Sequence, residues 1–413
     1  MKVAEKKKVF FDMGLNIVSS AIPVVILQLL LLPLISKYVT GERYGLIITI
    51  LSVLNVVPST VGTVLNNVRL LNQKNHENFA ASGDYQILLI MAEIVSSVVV
   101  FGLCFFYIGV SGFLDIILII IISILWLAKE YYIVAYRIML NYKAIFLNNI
   151  FLVIGYFVGF VIFVLTRRWQ MVYLIGYLIS LLYINKTSSI IKEPFIKTNM
   201  FKNNLKDTIT LIISNILARM VTYADRLILY PLIGGTMVSI YYVSTVLGKV
   251  VSIAINPINS VALSYLSKMK NKPDKLFKKT FLLGAGICVI GYTFAVLLSR
   301  PVLSVIYPKF VDNAMKYIYI TTATVCVNVL TSIITPFVLN FFKLKWQIFI
   351  NGITIIVYII LTMVLYKAID MTGFCLGVLI TNIVKLLFTL FIYVFNKEGI
   401  NEIQKDDKKS VSI

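Results

Sequence analysis

The sequence predicts an all-α polytopic membrane protein of twelve transmembrane helices in two six-helix bundles. Three observations lead there. Of 413 residues, 59% are hydrophobic and 14% charged, with a mean hydropathy of +0.92, whereas a soluble globular domain is nearer half apolar and a quarter charged. Apolar stretches of about 20 residues, the length a bilayer-spanning helix needs, recur along the chain. No polar gap between them is long enough to hold a folded soluble domain. A cytoplasmic enzyme, a secreted protein and a nucleic-acid binder are all disfavoured.

Only helices and closed barrels satisfy their backbone hydrogen bonds in lipid, and apolar runs this long are helices. In order, the predicted spans are 12–39, 44–68, 85–108, 114–138, 144–166, 170–190, 207–233, 237–267, 279–300, 314–342, 346–366 and 373–396. The first follows Lys6, Lys7 and Lys8 in the manner of a signal peptide. Its apolar run continues to about Val39 without a small-residue cleavage site, so it reads as a retained helix. The polar connection 191–206 follows the sixth span and divides the chain into 1–190 and 207–396, with 397–413 as a polar tail expected to be disordered. Six spans per half give both halves one orientation, related by an axis along the membrane normal. A faint internal echo agrees: Pro33-Leu34-Ile35 is followed by Tyr44, and Pro231-Leu232-Ile233 by Tyr242, at the same interval.

Orientation follows from the basic residues. With the N-terminus inside, the inner connections carry 25 Lys and Arg and the outer ones 8. The positive-inside rule therefore places both termini in the cytoplasm. The net charge of +20 is mainly this topology signal. The four cysteines, Cys104, Cys288, Cys326 and Cys375, sit inside apolar stretches at no metal-ligand spacing and read as small core residues. His76 is the only histidine, so no metal site and no histidine-driven chemistry is expected.

Ionisable side chains at membrane depth cost at least ~2.5 kcal/mol each, so each needs a reason. Nine fall within the spans: Glu93, Lys129, Glu130, Arg137, Arg219, Asp225, Arg226, Lys249 and Lys385. At a rise of ~1.5 Å per residue, Arg219, Lys249 and Lys385 each lie twelve residues into their spans, about 18 Å deep. Three like charges at one level call for a bound anion; the alternative is that each separately snorkels or meets a backbone carbonyl. Arg226 lies on the same helical stripe as Asn215, Arg219 and Thr222. The eighth span repeats the pattern with Thr245, Lys249, Ser252, Asn256 and Asn259, and the second with Ser52, Asn55, Ser59, Thr63 and Asn66; the first offers Asp12, Asn16 and Ser19. One such stripe usually glues helices together. Several, on corresponding helices of two halves, favour a hydrated lumen.

Glu93 and Lys129 stand at similar depth on the third and fourth spans and are expected to form a structural ion pair. Glu130 and Arg137, seven apart on one face, are candidates for the inner mouth. Asp225 beside Arg226 reads as local charge compensation, with coupling to H⁺ or Na⁺ as the alternative. No phosphate-binding loop of the ATPase type occurs, since Gly248-Lys249 is followed by valine inside a helix. Cofactors are not implied, and no catalytic constellation is evident.

Gly41-Glu42-Arg43-Tyr44-Gly45 after the first span, and Ala224-Asp225-Arg226-Leu227 through Tyr241-Tyr242 across the seventh and eighth, resemble the polysaccharide transporter family. These are Wzx-type flippases of O-antigen and capsule repeat units, in the superfamily of MATE-type multidrug exporters and lipid II flippases. Lipid II flippases usually have fourteen helices, two more than are expected here. The resemblance implies a MATE-like, V-shaped pair of six-helix bundles around a central cavity, working as a monomer in the bacterial inner membrane. Its substrate would be an undecaprenyl-pyrophosphate-linked glycan of capsule or lipopolysaccharide biosynthesis, with the glycan polymerase and chain-length proteins as partners beside membrane lipid. The cationic residues that line such cavities would here be Arg219, Lys249 and Lys385. The alternatives are a multidrug exporter, which the cations oppose, and a membrane glycan polymerase or ligase, which the short outer loops oppose.

Overall fold

The fold is seen in a computed structural model, which describes residues 3–72, 83–110, 112–266, 269, 272–342 and 344–395. Among these, the side chains of 3–13, 16, 250–265, 344, 345 and 348 fall outside the description. His76, the tail 397–413 and the side chains of Asn16, Asn256 and Asn259 therefore lie outside the described part. No strand occurs among the described residues. The elements are α1 (Val3–Ile26), α2 (Leu32–Tyr38), α3 (Gly41–Val56), α4 (Pro58–Asn72), α5 (Gly83–Gly102), α6 (Phe113–Tyr132), α7 (Val134–Ile138), α8 (Tyr142–Thr166) and α9 (Gln170–Thr187), then α10 (Phe201–Ile233), α11 (Gly235–Leu266), α12 (Asp274–Ile306), α13 (Val311–Met315), α14 (Ile318–Phe341) and α15 (Leu344–Phe395).

Each predicted span falls on helix, but several are interrupted. Wide π-helical turns at Leu27–Leu31 and Leu103–Tyr107 interrupt the first and third. Pro58, which has no N–H to donate, starts α4 and separates it from α3 at Val57. The last helix breaks at Ile369 and Asp370, where Asp370 takes a positive φ of 51°. By length and composition, seven helices among the described residues are long and apolar enough to cross a membrane, fewer than the twelve expected, and the Phe349–Phe395 stretch covers two predicted spans. Charge is one reason: α6 carries Asp115, Lys129 and Glu130, and α10 carries Arg219, Asp225 and Arg226.

The chain divides into two compact units, Met1–Ser239 and Ile240–Ile413. The first therefore takes in α10 as well as the helices before the 191–206 connection, because α10 packs on α3 and α4. In the first unit α8 packs on α9 and α1, and α6 on α4, α5 and α9. In the second, α14 packs on both α12 and α15. Cys288 on α12 and Cys326 on α14 each direct a thiol at the other's carbonyl, at 3.3 and 3.5 Å, and all four cysteines are free.

Lipid tails are as apolar as leucine, so membrane helices associate through close packing at small residues. On α8, Gly155 and Gly159 meet α9 this way: a Cβ on Gly155 would stand 2.7 Å from the Gly176 Cα, and one on Gly159 2.4 Å from the Met171 carbonyl oxygen. Backbone cannot yield as a side-chain tip can. Gly159→Leu is expected to cost about 1–3 kcal/mol, read as a lower unfolding midpoint in detergent. Gly102→Ala, whose Cβ would meet nothing within 4 Å, should leave the midpoint unchanged.

The Gly41–Gly45 motif has a packing role. Thr40 caps α3 by accepting the Arg43 N–H at 3.3 Å, and Tyr44 is fully buried. A Cβ on Gly45 would overlap the carbonyl of Gly235 at 1.8 Å, and Ser239 donates to the Gly41 carbonyl at 2.5 Å. The motif thus seats the Gly234 turn between α10 and α11 against the start of α3.

Candidate functional site

The charged groups of the first unit sort into those the protein neutralises and those it leaves. Lys129 pairs with Glu130 at 3.1 Å, and Trp126 donates its indole N–H to the same carboxylate at 3.3 Å. The expected Glu93–Lys129 pair is therefore corrected. Consecutive helical residues ordinarily diverge, but the lysine stem is long enough to turn back onto its neighbour. Glu93 has no ion-pair partner among the described residues. Arg137 does not join Glu130: its guanidinium donates to the Asn66 and Asn67 side-chain oxygens at 2.5 and 2.8 Å. Asn66 is buried and donates to the Glu130 carbonyl at 2.8 Å, so it ties α4 to α6. Asp225 and Arg226 pair at 3.9 Å, and the Arg226 guanidinium lies 5.4 Å from the Tyr223 ring centre.

The α10 stripe is different. Asn215 and Thr222 are exposed and donate only to their own helix, at the Leu211 and Ala218 carbonyls. Between them Arg219, half-buried, has no acidic partner among the described residues. Asn55 likewise turns to its own helix, donating to Leu51 O at 2.7 Å.

In the second unit, Lys249 donates to the Thr245 hydroxyl at 2.8 Å and lies 5.0 Å from the Tyr242 ring centre. Lys385, on the second segment of α15, is half-buried and has no carboxylate partner among the described residues.

A second polar cluster, in the first unit, escapes sequence reasoning. At the end of α4, Arg69 grips Glu193 with both arms of its guanidinium, at 2.7 and 2.6 Å, and donates to the Tyr131 hydroxyl at 2.7 Å. Such forked pairs combine strength with fixed geometry. Asp84, fully buried at the start of α5, accepts from the Thr198 N–H and hydroxyl at 2.7 and 2.6 Å, and from Asn204 at 3.2 Å. Gln86 donates to the Ile190 carbonyl at 2.6 Å. The connection after α9 is thereby fastened to α4 and α5. Arg69 and Glu193 are 124 residues apart and each lies in a stretch that reads as loop. The only local signal is that two polar connections, which the basic residues predict to lie on one side of the membrane, offer opposite charges.

No family profile matches the chain, and no curated protein matches it by sequence. Solved structures do match its shape. A lipid II flippase MurJ in an inward closed conformation is 15% identical, with a TM-score of 0.67 over 94% of this chain and 87% of that one. An inward-facing multidrug resistance MATE family transporter of the MOP superfamily is 11% identical, at 0.64 over 92% and 94%. An outward-facing one is 12% identical, at 0.63 over the same shares. At such identities the likeness is one of fold. The chain is an all-helical, multi-pass membrane protein that shares its fold with MurJ and the MATE transporters.

Proposed function

We propose that the chain is a flippase, not an enzyme, that moves an undecaprenyl-pyrophosphate-linked oligosaccharide repeat unit of O-antigen or capsule from the inner to the outer leaflet of the bacterial cytoplasmic membrane by alternating access. The observation that supports this is a pair of intramembrane cations, Arg219 on its exposed stripe and Lys385 on α15, each without a carboxylate partner among the described residues. Arg226 takes a lesser part, since Asp225 compensates it. Arg219, Lys249 and Lys385 each stand equally far along their own helix from a turn. Arg219 stands fourteen residues before Ile233, Lys249 fourteen after Gly235, and Lys385 fourteen after Met371, where the last helix resumes. At ~1.5 Å per residue each is about 21 Å from a turn, and in the topology read from the basic residues all three turns face outward. The fold shared with a lipid II flippase agrees with a lipid-linked substrate.

The physical need is plain. Each glycan hydroxyl costs several kcal/mol in hydrocarbon when unpaired, so unassisted crossing is negligible. A polar cleft lets the head cross wet while the polyprenyl tail stays in lipid. Moving one charge through 100 mV is worth about 2.3 kcal/mol, so a doubly negative pyrophosphate leaving a negative interior gains about twice that. Coupling to H⁺ or Na⁺ would add to this drive. The division into bundles 1–190 and 207–396, both termini inside, and a single copy as the working unit belong to the same proposal.

The MATE likeness favours a second reading, multidrug export, but Arg219 and Lys385, without a carboxylate partner among the described residues, would repel cationic drugs. Deletion of the gene separates the two. A flippase predicts loss of surface polysaccharide and accumulation of lipid-linked repeat units, with unchanged drug sensitivity. Normal polysaccharide and heightened sensitivity to organic cations would overturn the flippase reading.

A further inference from the structure

Between Thr187 and Phe201 the chain forms only a tight 3-10 turn over Ile190–Lys192. Its inward side is fixed by Arg69 on Glu193, Gln86 on Ile190 and Asp84 on Thr198. These contacts engage Glu193, the single acidic residue between Lys186 and Lys206. The outward side is left with Phe195 and Ile196, 61% and 45% exposed. Around them stand Lys186, Lys192, Lys197, Lys202 and Lys206, all exposed and without an ion-pair partner among the described residues. The Lys197 ammonium sits 5.0 Å from the Phe201 ring centre, charge and apolar surface side by side.

In the topology read from the basic residues, this segment joins the sixth and seventh spans and so lies at a membrane surface. There, apolar side chains enter the boundary between headgroups and acyl chains, and clustered ammonium groups attract anionic headgroups. A water-facing loop gains nothing from an outward phenylalanine, whereas an interfacial one does. Lysine suits lipid phosphates that exchange in the bilayer plane, because its ammonium is a mobile point charge with no fixed fork to satisfy.

We propose that residues 188–200, with Lys186, Lys202 and Lys206 beside them, form a docking site for anionic phospholipid headgroups of the surrounding bilayer. The Arg69–Glu193 and Asp84–Thr198 contacts act as the clamp that presents it, removing the one negative charge and turning Phe195 outward. The site uses none of the residues assigned to the transported headgroup, so it stands or falls separately from the flippase reading.

The test uses the full chain reconstituted in vesicles of phosphatidylcholine alone or with phosphatidylglycerol. A water-soluble amine-acylating reagent is applied and the modified lysines are read by mass spectrometry. Phosphatidylglycerol is expected to slow acylation of Lys192, Lys197 and Lys202 several-fold, free glycerol phosphate is not, and F195S should weaken the protection. In native mass spectra, K192Q/K197Q/K202Q should retain fewer phosphatidylglycerol molecules, while the matching Lys→Arg variant retains as many as the parent. Equal acylation in both vesicles, equal protection by free glycerol phosphate, or unchanged lipid retention by the Gln variant would each overturn the proposal. Should the Gln variant fail to fold, the acylation arm on the parent protein still decides.

Discussion

Changing Arg219 and Lys249 together to alanine is expected to abolish surface polysaccharide while the protein remains in the membrane at its normal level. The two halves of that result have separate causes. Arg219 has no carboxylate partner among the described residues, and Lys249 is held by a hydroxyl and a tyrosine ring. Removing Arg219 thus orphans no acid among the described residues, and removing Lys249 gives up one hydrogen bond to Thr245 and the contact with the Tyr242 ring, so folding is expected to lose little. A hydrogen bond to a charged group is worth about 1.5–3 kcal/mol. Loss of two to a pyrophosphate costs about 3–6 kcal/mol, or roughly a hundredfold to ten-thousandfold in headgroup affinity. Adding Lys385→Ala should deepen the defect. Immunodetection of the polysaccharide beside quantitation of the protein checks both halves, and full-length surface polysaccharide in the double variant would refute the anion-site assignment.

Arg69→Ala should have the largest effect on stability. The Arg69 and Glu193 side chains are 11% and 10% exposed and joined at 2.6 Å. Breaking a buried pair from one side leaves an uncompensated charge, which costs about 3–5 kcal/mol. Tyr131 loses its hydrogen-bond partner as well. The expected outcome is a sharply lower unfolding midpoint in detergent and a poor membrane yield. Replacing both partners by apolar residues of similar volume, as in R69M/E193L, should recover much of the loss, because the desolvation penalty then disappears with the pair. A single variant that melts with the parent would show that the pair is solvated and structurally idle.

The all-helical class and the helix positions were legible because long apolar runs in a bilayer admit one backbone solution. Helix ends and breaks were not. α10 begins at Phe201 rather than near 207 because Lys202, Asn203 and Asn204 continue the helix beyond the apolar run, which hydropathy cannot signal. The break at Ile369 and Asp370 carries no proline. The site was partly legible. Charges stand out in any apolar helix, which is why Arg219, Lys249 and Lys385 are candidates from the sequence alone, and Asp225 pairs with Arg226 as expected. Partner choice did not follow from depth alone: Lys129 turned to Glu130, and Arg137 to two asparagines. The Arg69–Glu193 clamp was invisible because nothing local marks two polar residues 124 positions apart as neighbours.

The most direct measurement of the central claim uses proteoliposomes holding this protein alone and a polyprenyl-pyrophosphate oligosaccharide labelled on its glycan. The account predicts that the glycan becomes accessible to an impermeant glycosidase at a protein-dependent rate, that an inside-negative potential assists its exit, and that R219A/K249A loses the activity. Equal accessibility with and without protein, or full activity in the double variant, would contradict it.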